Sequence, residues 1–230
     1  MILVLRGHIR DSFENYELLH FVKFLHSMNV NKNTKLKICI HTWNIVSNNI
    51  SWRPMTYDNT IVTKEMILLY FQDVNHLIED ILIDDDTNIV LHGNIHGNIN
   101  HGPMPIVGWK NYWYGKYRIM THILERSFNK EMDENEVIIN CRFDILKNSN
   151  TYTKKTLLQF IQKHCDSTFQ KNVFTEENEK CGIDNIYIGN IHTMHRIAHH
   201  FFYNLDSILE KHRSIINQEW MVFRENNVIF

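Results

Sequence analysis

Arg142-Phe143-Asp144 delivers a guanidinium and a carboxylate two residues apart, directly after the apolar run Ile138-Ile139-Asn140-Cys141. In an extended strand, residues i and i+2 share a face, so the two side chains project together. A carboxylate placed this way can hold a divalent cation against a diphosphate, because Mg²⁺ and Mn²⁺ favour carboxylate and phosphate oxygens. The same pair can also close on itself as an ion pair that caps the strand. A rival carboxylate pattern, Asp-x-Asp, sits in Ile83-Asp84-Asp85-Asp86. There Asp86-Thr87-Asn88 reads as turn chemistry, and a solvated turn is the favoured reading.

Two other segments end on residues able to bind a ligand. Arg6-Gly7-His8-Ile9-Arg10 follows a first apolar run. A glycine there permits close backbone approach, and a following arginine can reach a phosphate with two parallel hydrogen bonds. A tight turn with solvated arginines is the alternative, and a lone glycine is no dinucleotide fingerprint. His41-Thr42-Trp43 ends a second run, where the indole can stack on a base or sugar or cover the sheet.

Two further clusters support other functions. His92, His96 and His101 lie within one Gly-rich stretch at a spacing open to zinc, which would suit a metal-dependent hydrolase. No Asp or Glu partner lies within that stretch. His199 and His200 sit in an apolar helical pattern and read as packed or surface residues. Trp109, Tyr112, Trp113 and Tyr114 can stack on sugar faces, which would suit a non-catalytic carbohydrate-binding module.

The elements that must position these residues alternate in type. Residues 2–5, 36–40 and 137–140 form short apolar runs that read as buried parallel strands, with 81–83, 89–91 and 185–189 as weaker candidates. Helical periodicity covers 12–28, a segment starting at Thr63, 112–128, 154–164 and 192–209. This alternation predicts an α/β domain with a mainly parallel sheet flanked by helices. In such sheets ligands bind beyond the carboxyl ends of the strands. Residues 88–109 hold four of the eight glycines and show no period, so they read as a long functional loop or lid.

With 230 residues, the chain suits one domain. We expect two halves within it, over about 1–145 and about 146–230. The formal charge of −2 argues against a general nucleic-acid binder, and no apolar run is long enough to span a membrane. Four scattered cysteines without a CxxC pair read as reduced thiols, which predicts a cytoplasmic location, in a bacterium or a virus-infected host cell.

Taken in order, Gly7-His8-Ile9-Arg10, Ile40-His41-Thr42-Trp43, Trp113-Tyr114-Gly115-Lys116-Tyr117-Arg118, the strand 137–144 and Gly182-Ile183-Asp184-Asn185-Ile186-Tyr187-Ile188-Gly189 resemble the small glycosyltransferases of capsular and lipopolysaccharide biosynthesis. The tail from Gln218 carries an acidic residue, as that family's often does. The resemblance implies a GT-A-like, Rossmann-type fold and a hexosyltransferase-type activity in polysaccharide biosynthesis. Within that fold it implies a nucleotide-binding half over about 1–145 and an acceptor-side half over about 146–230. It implies a nucleotide-sugar donor, UDP- or GDP-linked, a saccharide or glycoconjugate acceptor, and Mn²⁺ or Mg²⁺ as a possible cofactor. Carried over by position, Asp144 would meet the metal or the donor ribose-phosphate, and Arg142 the diphosphate. Gly7, Arg10, Thr42 and Trp43 would lie in the donor site, and Lys116 or Arg118 near the leaving phosphates. Asp184 would face the acceptor or the transferred sugar and serve as base in an inverting reaction. Asn140-Cys141 stands where the family has a further arginine, and Gly115 where it has serine.

Overall fold

A computed structural model describes residues 1–31, 35–51, 55–147, 154–165, 173–178 and 181–229. Its centre is a six-stranded sheet built from β1 (Ile2–Arg6), β2 (Lys37–Trp43), β5 (Ile78–Asp84), β6 (Val137–Arg142), β7 (Val173–Asn178) and β8 (Cys181–Asn190). The order across it is β5-β2-β1-β6-β8-β7. The first three pairings are parallel, and β8 runs antiparallel to both β6 and β7. A small hairpin of β3 (Ile45–Ser47) and β4 (Asp58–Ile61) stands apart. The chain is thus α/β with a mainly parallel sheet, as the alternation of runs predicts.

The central strands are aliphatic on both faces because both faces are covered. Leu3, Leu5, Ile38, Ile40, Ile139 and Cys141 feed one core, shared with α1 (Glu17–Asn31), α2 (Lys64–Phe71) and α4 (Lys154–Cys165). Their neighbours Ile2, Val4, Cys39 and Ile138 feed the other, shared with α3 (Ile106–Phe128), α5 (Ile191–Lys211) and α6 (Gln218–Ile229). Thr63 caps α2 by accepting from the Met66 amide at 3.2 Å, and Asn190 caps α5 by accepting from Thr193 at 2.8 Å. The expected halves on either side of residue 145 share one sheet, since β7 and β8 complete the edge begun by β6.

Several elements differ from expectation. The helix expected over 12–28 is a 3₁₀ turn at Arg10–Phe13 followed by α1. The helix expected from Tyr112 starts at Ile106, because the buried stripe Ile106, Trp109, Trp113 already has helical spacing. Residues 89–91 form no strand, and Val90 is exposed. The β3–β4 hairpin and β7 carry no apolar run that marks them in the sequence. Strands β2 and β6 each run past their apolar core into the polar residues that matter for the site.

Helix α6 is fastened by a buried carboxylate. Glu225 Oε1 accepts from Lys211 Nζ and meets His212 Nε2, each at 2.6 Å, while Oε2 meets His200 Nε2 at 3.0 Å. Burial opposes its ionisation, but these partners outweigh that and draw its pKa down from 4.5 to about 2. A depressed acid contributes stability that is complete above its unfolded pKa and lost as pH falls through the folded one. We therefore expect α6 amides to lose hydrogen-exchange protection between pH 4.5 and about pH 2, before the α1 amides do. Glu225→Gln should remove that difference.

Candidate functional site

The carboxyl ends of β1, β2 and β6 open on a cleft of about 240 Å³. Arg6 and Arg142 face it from paired registers, since Arg6 aligns with both His41 and Arg142 across the sheet. The chain leaves β1 through Gly7, whose φ of 92° lies in the left-handed region that glycine tolerates. The Gly7 amide donates to the His41 carbonyl at 3.1 Å, and the Thr42 hydroxyl donates to the Gly7 carbonyl at 3.0 Å. This turn carries His8 and Arg10 into the cleft wall. Arg10 itself has φ of 54°, an uncommon conformation for a side chain of this size and one that tends to collect at functional sites. Helix α3 supplies the facing wall through Gly108, Asn111, Tyr112 and Gly115, and the start of α6 closes it with Asn217, Gln218 and Glu219.

Three arginines, Arg6, Arg10 and Arg142, therefore converge on one cavity. Asp144 ties two of them together. Its Oδ1 accepts from Arg142 Nε at 2.8 Å, and its Oδ2 accepts from Arg142 Nη2 at 2.6 Å and Arg10 Nη1 at 2.9 Å. Burial opposes the charge on Asp144, but the two guanidinium groups overcome it and hold the carboxyl below its ordinary range. Arg6 donates through Nε to Asn140 Oδ1 at 2.7 Å and through Nη2 to the Tyr112 hydroxyl at 3.0 Å.

The sequence-predicted residues are distributed unevenly around this cavity. Gly7, Arg10, Trp43 and Arg142 line it. Thr42 is buried and braces the turn at Gly7. Lys116 is buried in an aromatic box, its Nζ 3.1 Å from the Tyr187 ring centre, 4.2 Å from Trp113 and 4.4 Å from Tyr112. Arg118 is half-exposed beside Asp84 at 3.5 Å, away from the cleft lining. Asp184 belongs to β8, two residues before the Ile186–Cys141 pairing and so at the cleft end of the sheet. Its side chain lies outside the described residues.

As placed, Asp144 does not fit a divalent cation. Both oxygens already accept from arginine, and a metal ion there would face two guanidinium charges at hydrogen-bonding distance. Among the described residues no three His, Cys, Asp or Glu side chains gather in a way that could hold a metal. The histidines of the Gly-rich stretch point to different surroundings. His92 packs on Phe202 and Tyr203, His96 is exposed, and His101 ends a 3₁₀ turn.

The acidic triplet after β5 departs from the simple turn expected of it. Asp85 does act as turn chemistry, accepting from the Thr87 amide at 2.9 Å and its hydroxyl at 2.7 Å. Its two neighbours each back a histidine. Asp84 Oδ2 lies 3.2 Å from His41 Nε2 and accepts from the Tyr114 hydroxyl at 3.1 Å. Asp86 Oδ2 lies 3.5 Å from His8 Nε2 and also accepts from Asn48 Nδ2. Trp43 sits between the two imidazoles, with ring centres 5.8 Å from His8 and 5.1 Å from His41, and stacks on Tyr114. Reading by spacing alone assigns no role to Arg6, His8, Asn48 or Asn111, takes Asp86 for a turn residue, and places Tyr112 only in an aromatic cluster. The available signal was alternation: Asp84 and Asp86 at i and i+2 fall on one side of an extended chain.

Comparison of the chain with protein-family models, with curated proteins and with solved structures gives no match.

Gly115 determines how closely α3 approaches the site. A Cβ there would meet His41 Nδ1 at 2.9 Å and Cε1 at 3.0 Å, and His41 is fully buried. Alanine normally stabilises a helix interior by ~1 kcal/mol over glycine. At this position we expect the opposite, because overpacking a closed core costs about 1–3 kcal/mol. Gly115→Ala should lower the Tm, whereas an unchanged or raised Tm would show that α3 does not rest on His41.

Proposed function

We propose that this chain is a glycosyltransferase of GT-A-like fold that moves a sugar from a nucleoside-diphosphate sugar to a saccharide acceptor. The observation that carries the reading is the convergence of Arg6, Arg10 and Arg142 on one cleft beyond the carboxyl ends of parallel strands. That position is where open α/β sheets bind ligands. Guanidinium groups match phosphate oxygens in charge and in geometry. The ordered motifs of the sequence resemble the same class of enzyme, and Trp43 and Tyr112 add aromatic faces for a base or a sugar.

In this mechanism the arginines stabilise the charge that develops on the leaving diphosphate. Asp144 keeps Arg10 and Arg142 at a fixed separation, so their donors are oriented before the substrate arrives. No step is assigned to Mn²⁺ or Mg²⁺, because the cations of the protein occupy the place such an ion would take. The cleft is smaller than the usual 300–1,000 Å³ of an enclosing ligand pocket. A nucleotide-sugar seated in it would therefore extend into solvent, which leaves one side of the sugar open to an acceptor.

Thermal-shift titration with UDP-, GDP-, dTDP- and CMP-sugars tests the reading. We expect at least one nucleoside-diphosphate sugar to raise the Tm, in EDTA as in Mn²⁺. Arg142→Ala should weaken that donor by roughly 10- to 100-fold in Kd, the equivalent of losing a charge-assisted hydrogen bond of about 1.5–3 kcal/mol. Free glycans binding where no nucleotide-sugar does would replace the transferase with a carbohydrate-binding module.

A further inference from the structure

His8 is set in the cleft wall with its two ring nitrogens in different surroundings. Nε2 is buried and stands 3.5 Å from Asp86 Oδ2, an ion-pair distance, with no hydrogen bond among the described residues. Nδ1 makes no hydrogen bond among the described residues and is not one of the buried unpartnered nitrogens. It is therefore the nitrogen that keeps some exposure, and the ring lines the cavity. The Asp86 side chain is as enclosed as the imidazole and is itself held by Asn48, a second cleft residue. A carboxylate behind one imidazole nitrogen selects the tautomer that carries hydrogen there, which leaves a lone pair on the other. It also stabilises the imidazolium once a proton arrives. This is the arrangement of an oriented base with its third group in place.

We propose that His8, oriented by Asp86, is the general base of the transfer reaction; this rests on the glycosyltransferase reading above. The acceptor hydroxyl gives its proton to His8 Nδ1 as its oxygen bonds to the anomeric carbon. The bond from that carbon to the diphosphate breaks, and its electron pair leaves with the diphosphate onto Arg6, Arg10 and Arg142. The transfer is a direct displacement and inverts the anomeric centre. Asp84 and His41 form a second pair, but His41 is fully buried under Gly115 and takes no part in the proton step.

The groups around His8 suit a base. Burial lowers its pKa below the ordinary histidine value, Asp86 pulls upward, and the charges of Arg10 and His41 push down again. Arg6 faces the same cavity, while Trp43 and Asn48 bring no charge. The net lowering leaves the ring neutral and ready to accept a proton at neutral pH.

The test follows nucleotide release from whichever UDP- or GDP-sugar the full wild-type chain consumes, with water as acceptor, across a pH series. His8→Gln should lower kcat by about 100-fold or more, the usual contribution of a general base, while donor affinity stays unchanged. The acid limb of the wild-type kcat profile should vanish in that variant. Asp86→Asn should move the limb to lower pH, because the upward pull on the imidazole is gone, and this holds as a test should His8→Gln fail to fold. Wild-type turnover by His8→Gln, an unmoved limb in Asp86→Asn, or a product of retained anomeric configuration would each overturn the assignment. A wild-type chain that consumes no nucleotide-sugar would instead sink the transferase reading, and the base assignment with it.

Discussion

The carboxyl end of the sheet takes several cations out of water, and much of the architecture there answers that cost. Arg6, Arg10, Arg142 and Lys116 lie near one another, and Arg6 and Lys116 are almost completely buried. Cations taken out of water need partners or polarizable surroundings. Asp144 answers for two of them. Arg6 is met by the Asn140 carbonyl oxygen and the Tyr112 hydroxyl, with its guanidinium carbon 4.3 Å from the Tyr112 ring centre. Lys116 is met by three aromatic faces. Polar oxygens and aromatic faces such as these lower the cost of burial. Guanidinium groups gathered on one cavity in this way suit an anionic ligand.

That requirement explains residues that look incidental one at a time. Asn140 stands inside an apolar strand because Arg6 needs an acceptor there. Trp113 and Tyr187 come from opposite sides of the Lys116 ammonium, so α3 and β8 are tied through a cation as well as through their shared core. Gly115 is small because a fully buried His41 occupies the space its side chain would need. Asp84 and Asp86, at the end of β5 and just beyond it, are drawn toward imidazoles.

Much of the scaffold was legible in the sequence, because apolar runs bounded by polar residues report strands buried on both faces. The placing of Gly7, Arg10, Trp43 and Arg142 in one site comes from the family resemblance of the ordered motifs, whereas strands β1, β2 and β6 come directly from the apolar runs. Strand β7 and the β3–β4 hairpin do not, since their stability derives from pairing rather than from an apolar run of their own. The partners of the site residues are harder to read because they are distant in the chain. Asp86 lies 78 positions from His8, and nothing in the local pattern of either segment names the other. Lys116 shows another limit: the family resemblance implied a place near the leaving phosphates, and three-dimensional packing sets it in an aromatic box.

The arginine field and the His8–Asp86 pair are not independent of each other. Arg10 pushes the His8 pKa down in the empty cleft, which favours a neutral ring but also makes it a weaker base. An anion seated on Arg6, Arg10 and Arg142 would neutralise part of that field. The imidazole would then gain proton affinity in the complex, at the stage when an acceptor hydroxyl needs to lose its proton. Donor binding and proton acceptance would reinforce each other through electrostatics alone, without movement of the backbone. The geometry needed for this coupling is already present in the turn after β1, where Gly7 places His8 and Arg10 two residues apart on the wall of one cavity.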